Sequence, residues 1–119
     1  MKNGTELTES QEQIIFVEWM RLQYPEHRVI AIPNGGMRNV ITATRLKKEG
    51  VSKGVPDIFI PSLQMWIEFK RKKGGRATPE QREWMIYLEY CNYDCNLCHG
   101  ADEAMDVIKN VISHRRYRK

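Results

Sequence analysis

Cysteine is scarce in this sequence, three residues in 119. So small and odd a count argues against a disulfide framework. Cys91, Cys95, Cys98 and His99 do offer the ligand types of a zinc site. A strand over residues 93–98, however, would turn Cys95 and Leu97 to one face and Cys98 to the other, while Cys91 closes a helix. The pattern reads as free thiols, buried or half-buried. Long apolar runs are missing too: none reaches the ~20 residues that a membrane helix needs. Residues 1–6 place no apolar segment behind a basic one, so no secretory leader is expected. The chain reads as cytoplasmic, from a bacterial or phage-infected cell, with no membrane partner. It has no internal repeat and no interdomain linker, and its length suits one core. A single domain over 1–119 is expected, with a basic tail at 114–119.

Charge of one sign is in modest excess. Lysines and arginines number 19 against 15 acids, giving +4 and a pI near 9.1. That admits a polyanionic partner without identifying one, because clustering matters more than the total. The basic residues fall in groups: Arg38 with Arg45, Lys47 and Lys48; then Lys53; then Arg71, Lys72, Lys73 and Arg76; then the tail. No recognition helix or base-reading motif stands out among them. They suit contacts to phosphate, which position a nucleic acid without reading it.

What the chain does hold is centred on two short runs. Asp57-Ile58-Phe59-Ile60 is β-rich and apolar except at its first residue, and Met65-Trp66-Ile67-Glu68-Phe69-Lys70 follows after four residues. Strand side chains alternate, so Glu68 and Lys70 share one face and Ile67 and Phe69 the other. In an antiparallel hairpin Asp57 would lie beside Glu68, bringing two carboxylates and an ammonium together at one sheet edge. Charges that interrupt apolar strands are expensive unless they are used or paired, whereas a salt-bridged surface hairpin would gain little. Two hard oxygen ligands suit Mg²⁺ or Mn²⁺, with water and a substrate phosphate completing the shell. In outline this is a metal-dependent phosphodiesterase site.

The flanking elements follow from local signals. Thr8 and Gln11 have capping-box spacing, and apolar residues at helical intervals carry a helix from about 9 to 24, where Pro25 stops it. Residues 28–33 read as a strand ended by the turn Pro33-Asn34-Gly35-Gly36. Residues 42–49 read as a short helix closed by Gly50. Thr78-Pro79-Glu80-Gln81 opens a helix that ends near 91–92. Residues 101–113 form an amphipathic helix with Ala104, Val107, Ile108, Val111 and Ile112 inward. The order αβ(α)ββαβα predicts an α/β fold, a mixed sheet flanked by helices.

These pieces together resemble a known family. Gly54-Val55-Pro56-Asp57 with Glu68-Phe69-Lys70 looks like the PD-(D/E)xK nuclease motif. The wider pattern is similar to the VRR-NUC (virus-type replication-repair nuclease) family. It runs from Glu12-Gln13 through Asn34-Gly35-Gly36 with Arg38, and on to Gln81 and Trp84, covering roughly residues 9–112. A bare PD…ExK recurs by chance, but here six ordered pieces lie in suitable helix, turn and strand contexts.

The resemblance implies a restriction-endonuclease-like core and a Mg²⁺- or Mn²⁺-dependent endonuclease leaving 3′-hydroxyl and 5′-phosphate ends. It makes Asp57, Glu68 and the backbone carbonyl of Phe69 metal ligands, with Lys70 as the group that orients or deprotonates the attacking water. It selects Glu12, over Glu9 one turn earlier, as a further carboxylate. It also brings Gln81 to the active site, although the capping box with Thr78 competes for the same side chain. Trp84 reads as core. Asn34, Gly35 and Gly36 could approach DNA or the metal site, or serve as a plain turn. Standalone members of the family resemble junction resolvases and act as homodimers on four-way (Holliday) DNA junctions, which is the expected substrate here. Flaps, nicks or ordinary duplex are the alternative within enzymes, and an idle DNA-binding module is the alternative outside them.

Overall fold

In the computed structural model, which describes residues 6–33 and 39–117, eight elements follow the order αβαββαβα. They are α1 (Glu9–Gln23), β1 (Ile30–Ala31), α2 (Val40–Lys48), β2 (Ile58–Ile60), β3 (Met65–Lys70), α3 (Pro79–Tyr90), β4 (Asp94–His99) and α4 (Ala101–Tyr117). The sheet order is β1-β2-β3-β4. β1 and β3 each run antiparallel to β2, and β4 runs parallel to β3. The parallel pair requires a crossover, and α3 supplies it. This is a mixed sheet with helices packed on it, as expected.

Why the chain adopts these elements is visible at their ends. Thr8 caps α1 and Thr78 caps α3, each in a complete capping box with the glutamine three residues on. The β2–β3 connection is a single 3₁₀ turn, Pro61–Leu63, closed by Gln64 in the left-handed region at φ 50°. Alternation along β3 then sorts the two faces. Met65, Ile67 and Phe69 enter a fully buried core with Phe16, Met20, Ile58, Ile60, Ala104 and Ile108, under α1 and α4. The rings of Phe16 and Phe69 lie 5.4 Å apart. On the opposite face Trp66 stacks on Phe59 at 4.4 Å, with Tyr93 against both edge-on. β3 is therefore covered on both faces, which is why Glu68 and Lys70 are also buried.

Four local expectations change. β1 is two residues long instead of six, because it is an edge strand paired with the three-residue β2; Ile32 N–H donating to Asp57 O at 2.8 Å extends the pairing only slightly. α2 starts at Val40 rather than Thr42, since the Asn39 side chain accepts from Thr42 N–H at 2.8 Å and caps it. α4 continues through the expected basic tail to Tyr117. Within that stretch Arg115 donates to the carbonyls of Ser62 and Leu63 at 3.0 and 3.2 Å, so it closes the 3₁₀ turn instead of projecting freely. Finally, the hairpin's charges lie at the end of the central strands, not along a lateral edge, because β4 and β1 flank β3 and β2.

Candidate active site

The register Ile58↔Ile67 sets Asp57 opposite Glu68, just where β2 begins and β3 is about to end. Asp57 Oδ2 accepts from Phe69 N–H at 2.7 Å. In an antiparallel pair a residue's N–H and C=O leave the strand on the same side, so the Phe69 carbonyl leaves β3 toward Asp57 as well. Lys70 shares the Glu68 face, and its Nζ stands 3.7 Å from Glu68 Oε2. Gln81 Nε2 donates to the same oxygen at 3.0 Å. Glu68 Oε1 is buried with no hydrogen-bonding partner among the described residues.

The electrostatics of this group are those of a crowded anionic site. Burial, then the neighbouring Asp57 charge, push the Glu68 carboxyl up to about 8, against the pull of Lys70. Burial also raises Asp57, opposed by the Phe69 N–H. The two carboxyls act on each other and titrate as a pair. Such a pair is protonated in part unless a cation joins it. The orphaned Glu68 Oε1, a second carboxylate beside it and a carbonyl on the same side are a donor set that fits a hard divalent ion. Among the described residues no group of three or more His, Cys, Asp or Glu side chains gathers that could hold a metal by itself, so an ion here would need backbone, water or phosphate oxygens besides the two carboxylates.

Two side chains that the resemblance brought to the site make further contacts. Gln81 serves both roles: its Oε1 accepts from Thr78 N–H at 2.9 Å as the helix cap, while its Nε2 holds Glu68. A primary amide has an acceptor end and a donor end, which removes the competition. Glu12 has one oxygen engaged at α4, and its Oε2 is buried with no hydrogen-bonding partner among the described residues. It is buried in the core, and its Oε1 accepts from Ala101 N–H at 2.8 Å, capping the start of α4. Glu9 is the α1 acid whose charge acts on both Asp57 and Glu68.

The basic residues divide. Arg45 pairs with Glu49 at 3.6 Å, Lys53 with Glu80 at 4.0 Å and Lys72 with Asp102 at 3.8 Å, all substantially exposed. Lys47, Lys48, Arg71, Lys73 and Arg76 are exposed as well. Asn34 and Arg38 lie outside the described residues. Trp84 is half-buried, edge-on to Tyr87 at 5.7 Å. Gly54, at φ +93°, lets the loop before β2 approach α3: a Cβ there would stand 2.8 Å from Glu80 C and 3.0 Å from Gln81 N. Glycine in the loop that leads to Asp57 is a visible sign of close backbone approach, but its partner on α3 is not legible from the sequence.

The VRR-NUC domain family matches residues 4–102. The chain belongs to the VRR-NUC family. A solved structure described as a VRR_NUC domain protein superposes with a TM-score of 0.78 at 26% identity, over 92% of this chain and 91% of that one. Among curated proteins no sequence matches. This VRR-NUC chain is therefore a nuclease domain with the expected restriction-endonuclease-like architecture, and no helix among its described residues is long and apolar enough to cross a membrane.

Proposed function

We propose that the domain is a Mg²⁺- or Mn²⁺-dependent endodeoxyribonuclease, selective for DNA structure, that hydrolyses phosphodiester bonds at the Asp57–Glu68–Lys70 site. The observation that carries this is the pairing of buried Glu68 with half-buried Asp57, an ammonium 3.7 Å from Glu68 and an orphaned Glu68 Oε1. An unpaired buried carboxylate oxygen costs on the order of 1–3 kcal/mol or more, a cost that a cation shared with Asp57 would offset.

Asp57, Glu68 and the Phe69 carbonyl would hold the cation. Bound there, it would supply Lewis-acid stabilisation of the phosphate charge and acidify a water. Gln81 fixes the rotation of the Glu68 carboxylate by holding Oε2, which leaves Oε1 directed away from α3's amide. Lys70, held beside Glu68, orients the attacking water or neutralises charge that develops on the phosphate. Glu9, not Glu12, is the α1 carboxylate acting on this centre. Phosphate contacts from the loop that bears Arg71, Lys72, Lys73 and Arg76 would position the strand, with Lys53, Arg45, Lys47 and Lys48 on the approach to β2 adding to them. Products would carry 3′-hydroxyl and 5′-phosphate ends.

Branched DNA, with a four-way junction as its type, and action as a homodimer are the finer part of this reading, and they rest on the family likeness. One observation is compatible with self-association: Val40 and Ile41, side by side at the start of α2, are 80% and 82% exposed. Cleavage of a labelled panel of junction, flap, nicked duplex, linear duplex and single strand tests all parts together. With Mg²⁺ or Mn²⁺ the wild type should cut, EDTA should stop it, and Asp57→Ala should be inactive. Equal cutting by wild type and Asp57→Ala would remove the site assignment. A monomer by light scattering would remove paired incision.

A further inference from the structure

Resting on the nuclease reading above, we infer that His99 is a positioning residue for Lys70, acting through the backbone of Gly75 as a latch on the basic loop. His99 is the register partner of Lys70 across the parallel β3–β4 pair, and Lys70 O accepts from Gly100 N–H at 2.9 Å, so the two strand ends are joined there. After Lys70 the chain leaves the sheet through residues 71–77 and returns over its own starting point. Gly75 comes to rest on the Lys70 stem: a Cβ on Gly75 would lie 2.8 Å from Lys70 Cβ, 3.3 Å from Cδ and 3.4 Å from Cγ. Only a residue without a side chain can make that approach.

The contact that holds Gly75 in place is from His99. Its Nε2 lies 2.9 Å from Gly75 O. A carbonyl can only accept, so the ring carries its proton on Nε2. Glu103 fixes the backbone at the same corner: its Oε1 accepts from the His99 backbone N–H at 2.8 Å and stands 3.9 Å from Nδ1. A second tie runs from the same loop to the same corner, because the Lys72 stem lies over Gly100, where a Cβ would be 2.8 Å from Lys72 Cγ. The loop thus forms a wall on Lys70, which is 5% exposed, and confines its Nζ beside Glu68. Without the latch a long, flexible lysine has several rotamers open to it, and misplacing a catalytic group by about 1 Å can cost up to roughly 100-fold in rate. The loop that carries Arg71, Lys73 and Arg76 is thereby coupled to the group that would handle the water.

Single-turnover cleavage with saturating Mg²⁺, DNA binding in Ca²⁺ and limited trypsin digestion test this together. His99→Ala should cut about 10-fold more slowly with DNA affinity changed less than about 2-fold. His99→Gln, whose amide nitrogen can reach the same carbonyl, should recover most of the rate. In a Lys70→Ala background, His99→Ala should add less than about a 2-fold loss, since the two act as one unit. Trypsin should cut the 71–77 loop about 10-fold faster in His99→Ala than in wild type or His99→Gln, because the local opening is no longer opposed by the latch. Wild-type rates in His99→Ala, failure of His99→Gln to rescue, or fully additive losses would each overturn the inference. If the wild type cuts no DNA the nuclease reading falls, and the trypsin comparison alone decides the latch: unchanged digestion in His99→Ala refutes it.

Discussion

Burial, Asp57 and Lys70 all act on the one carboxylate of Glu68, the first two against the third. Burial and Asp57 favour its neutral form, and its pKa of about 8 lies above the ordinary value of 4.5. The folded protein therefore binds a proton that the unfolded chain has released between those two values. The contribution of this proton to cation-free stability is full below about 4.5 and is lost as pH rises toward 8, by at most about 1.4 kcal/mol per pH unit. Urea midpoints in EDTA at pH 5 and pH 8 measure this, and Glu68→Gln, which cannot ionise, should flatten the slope. A cation competes with the same proton, so Mn²⁺ binding should tighten from pH 6 to pH 8. The two α1 acids separate just as cleanly. Glu12→Ala removes the α4 cap from a buried position and should cost about 1–3 kcal/mol, while Glu12→Gln keeps an acceptor and most of the stability. Glu9→Gln should leave the urea midpoint nearly unchanged and alter the cleavage rate or its pH profile. Loss of cleavage in a fully folded Glu12→Gln would return Glu12 to the site.

At the scale of elements, the site is an agreement between two chain segments that are distant in sequence: the hairpin supplies the charges and the start of α3 orients them. Gly54 is where these segments meet, and its left-handed φ and the 2.8 Å approach to Glu80 both exclude a side chain. Gly54→Ala should lower the urea midpoint by more than about 1 kcal/mol's worth. It should also slow cleavage further than stability alone explains, because it moves Gln81 off Glu68. Recovery of cleavage at saturating Mg²⁺ would point to a purely structural effect. Here the limits of the sequence are physical. Asp57 opposite Glu68, and Lys70 on the Glu68 face, were legible because a short hairpin and a period of two leave one arrangement. Both capping boxes were legible because they are local. Glu12 on Ala101, His99 on Gly75 and Arg115 on the 3₁₀ turn were not, because each joins residues that only tertiary packing brings together. Helical periodicity places Glu9 and Glu12 on nearly one face, so which of them points to the strand ends depends on how α1 sits against α4.

For the molecule as a whole, the excess of four positive charges is small, and its placement decides what it can do. Arg115 is used internally, on the carbonyls of Ser62 and Leu63, at the opposite end of the hairpin from Asp57. Lys73 and Arg76 are exposed on the loop that leaves β3 immediately after Lys70, where a phosphate backbone crossing the carboxylate pair would pass. These positions should respond oppositely to substitution. If Lys73 and Arg76 each contact a phosphate, replacing either by alanine weakens DNA binding for every sequence tested and reduces the slope of log K against log salt by about 1. Arg115→Ala should instead cost about 1 kcal/mol of stability and leave that slope unaltered, despite removing the same formal charge. Binding titrations in Ca²⁺ across a range of salt concentrations measure all three. Equal slope changes for the three variants would mean that net charge alone draws DNA to this surface. A change confined to Lys73 and Arg76 would show that the loop over Lys70 holds the backbone in place.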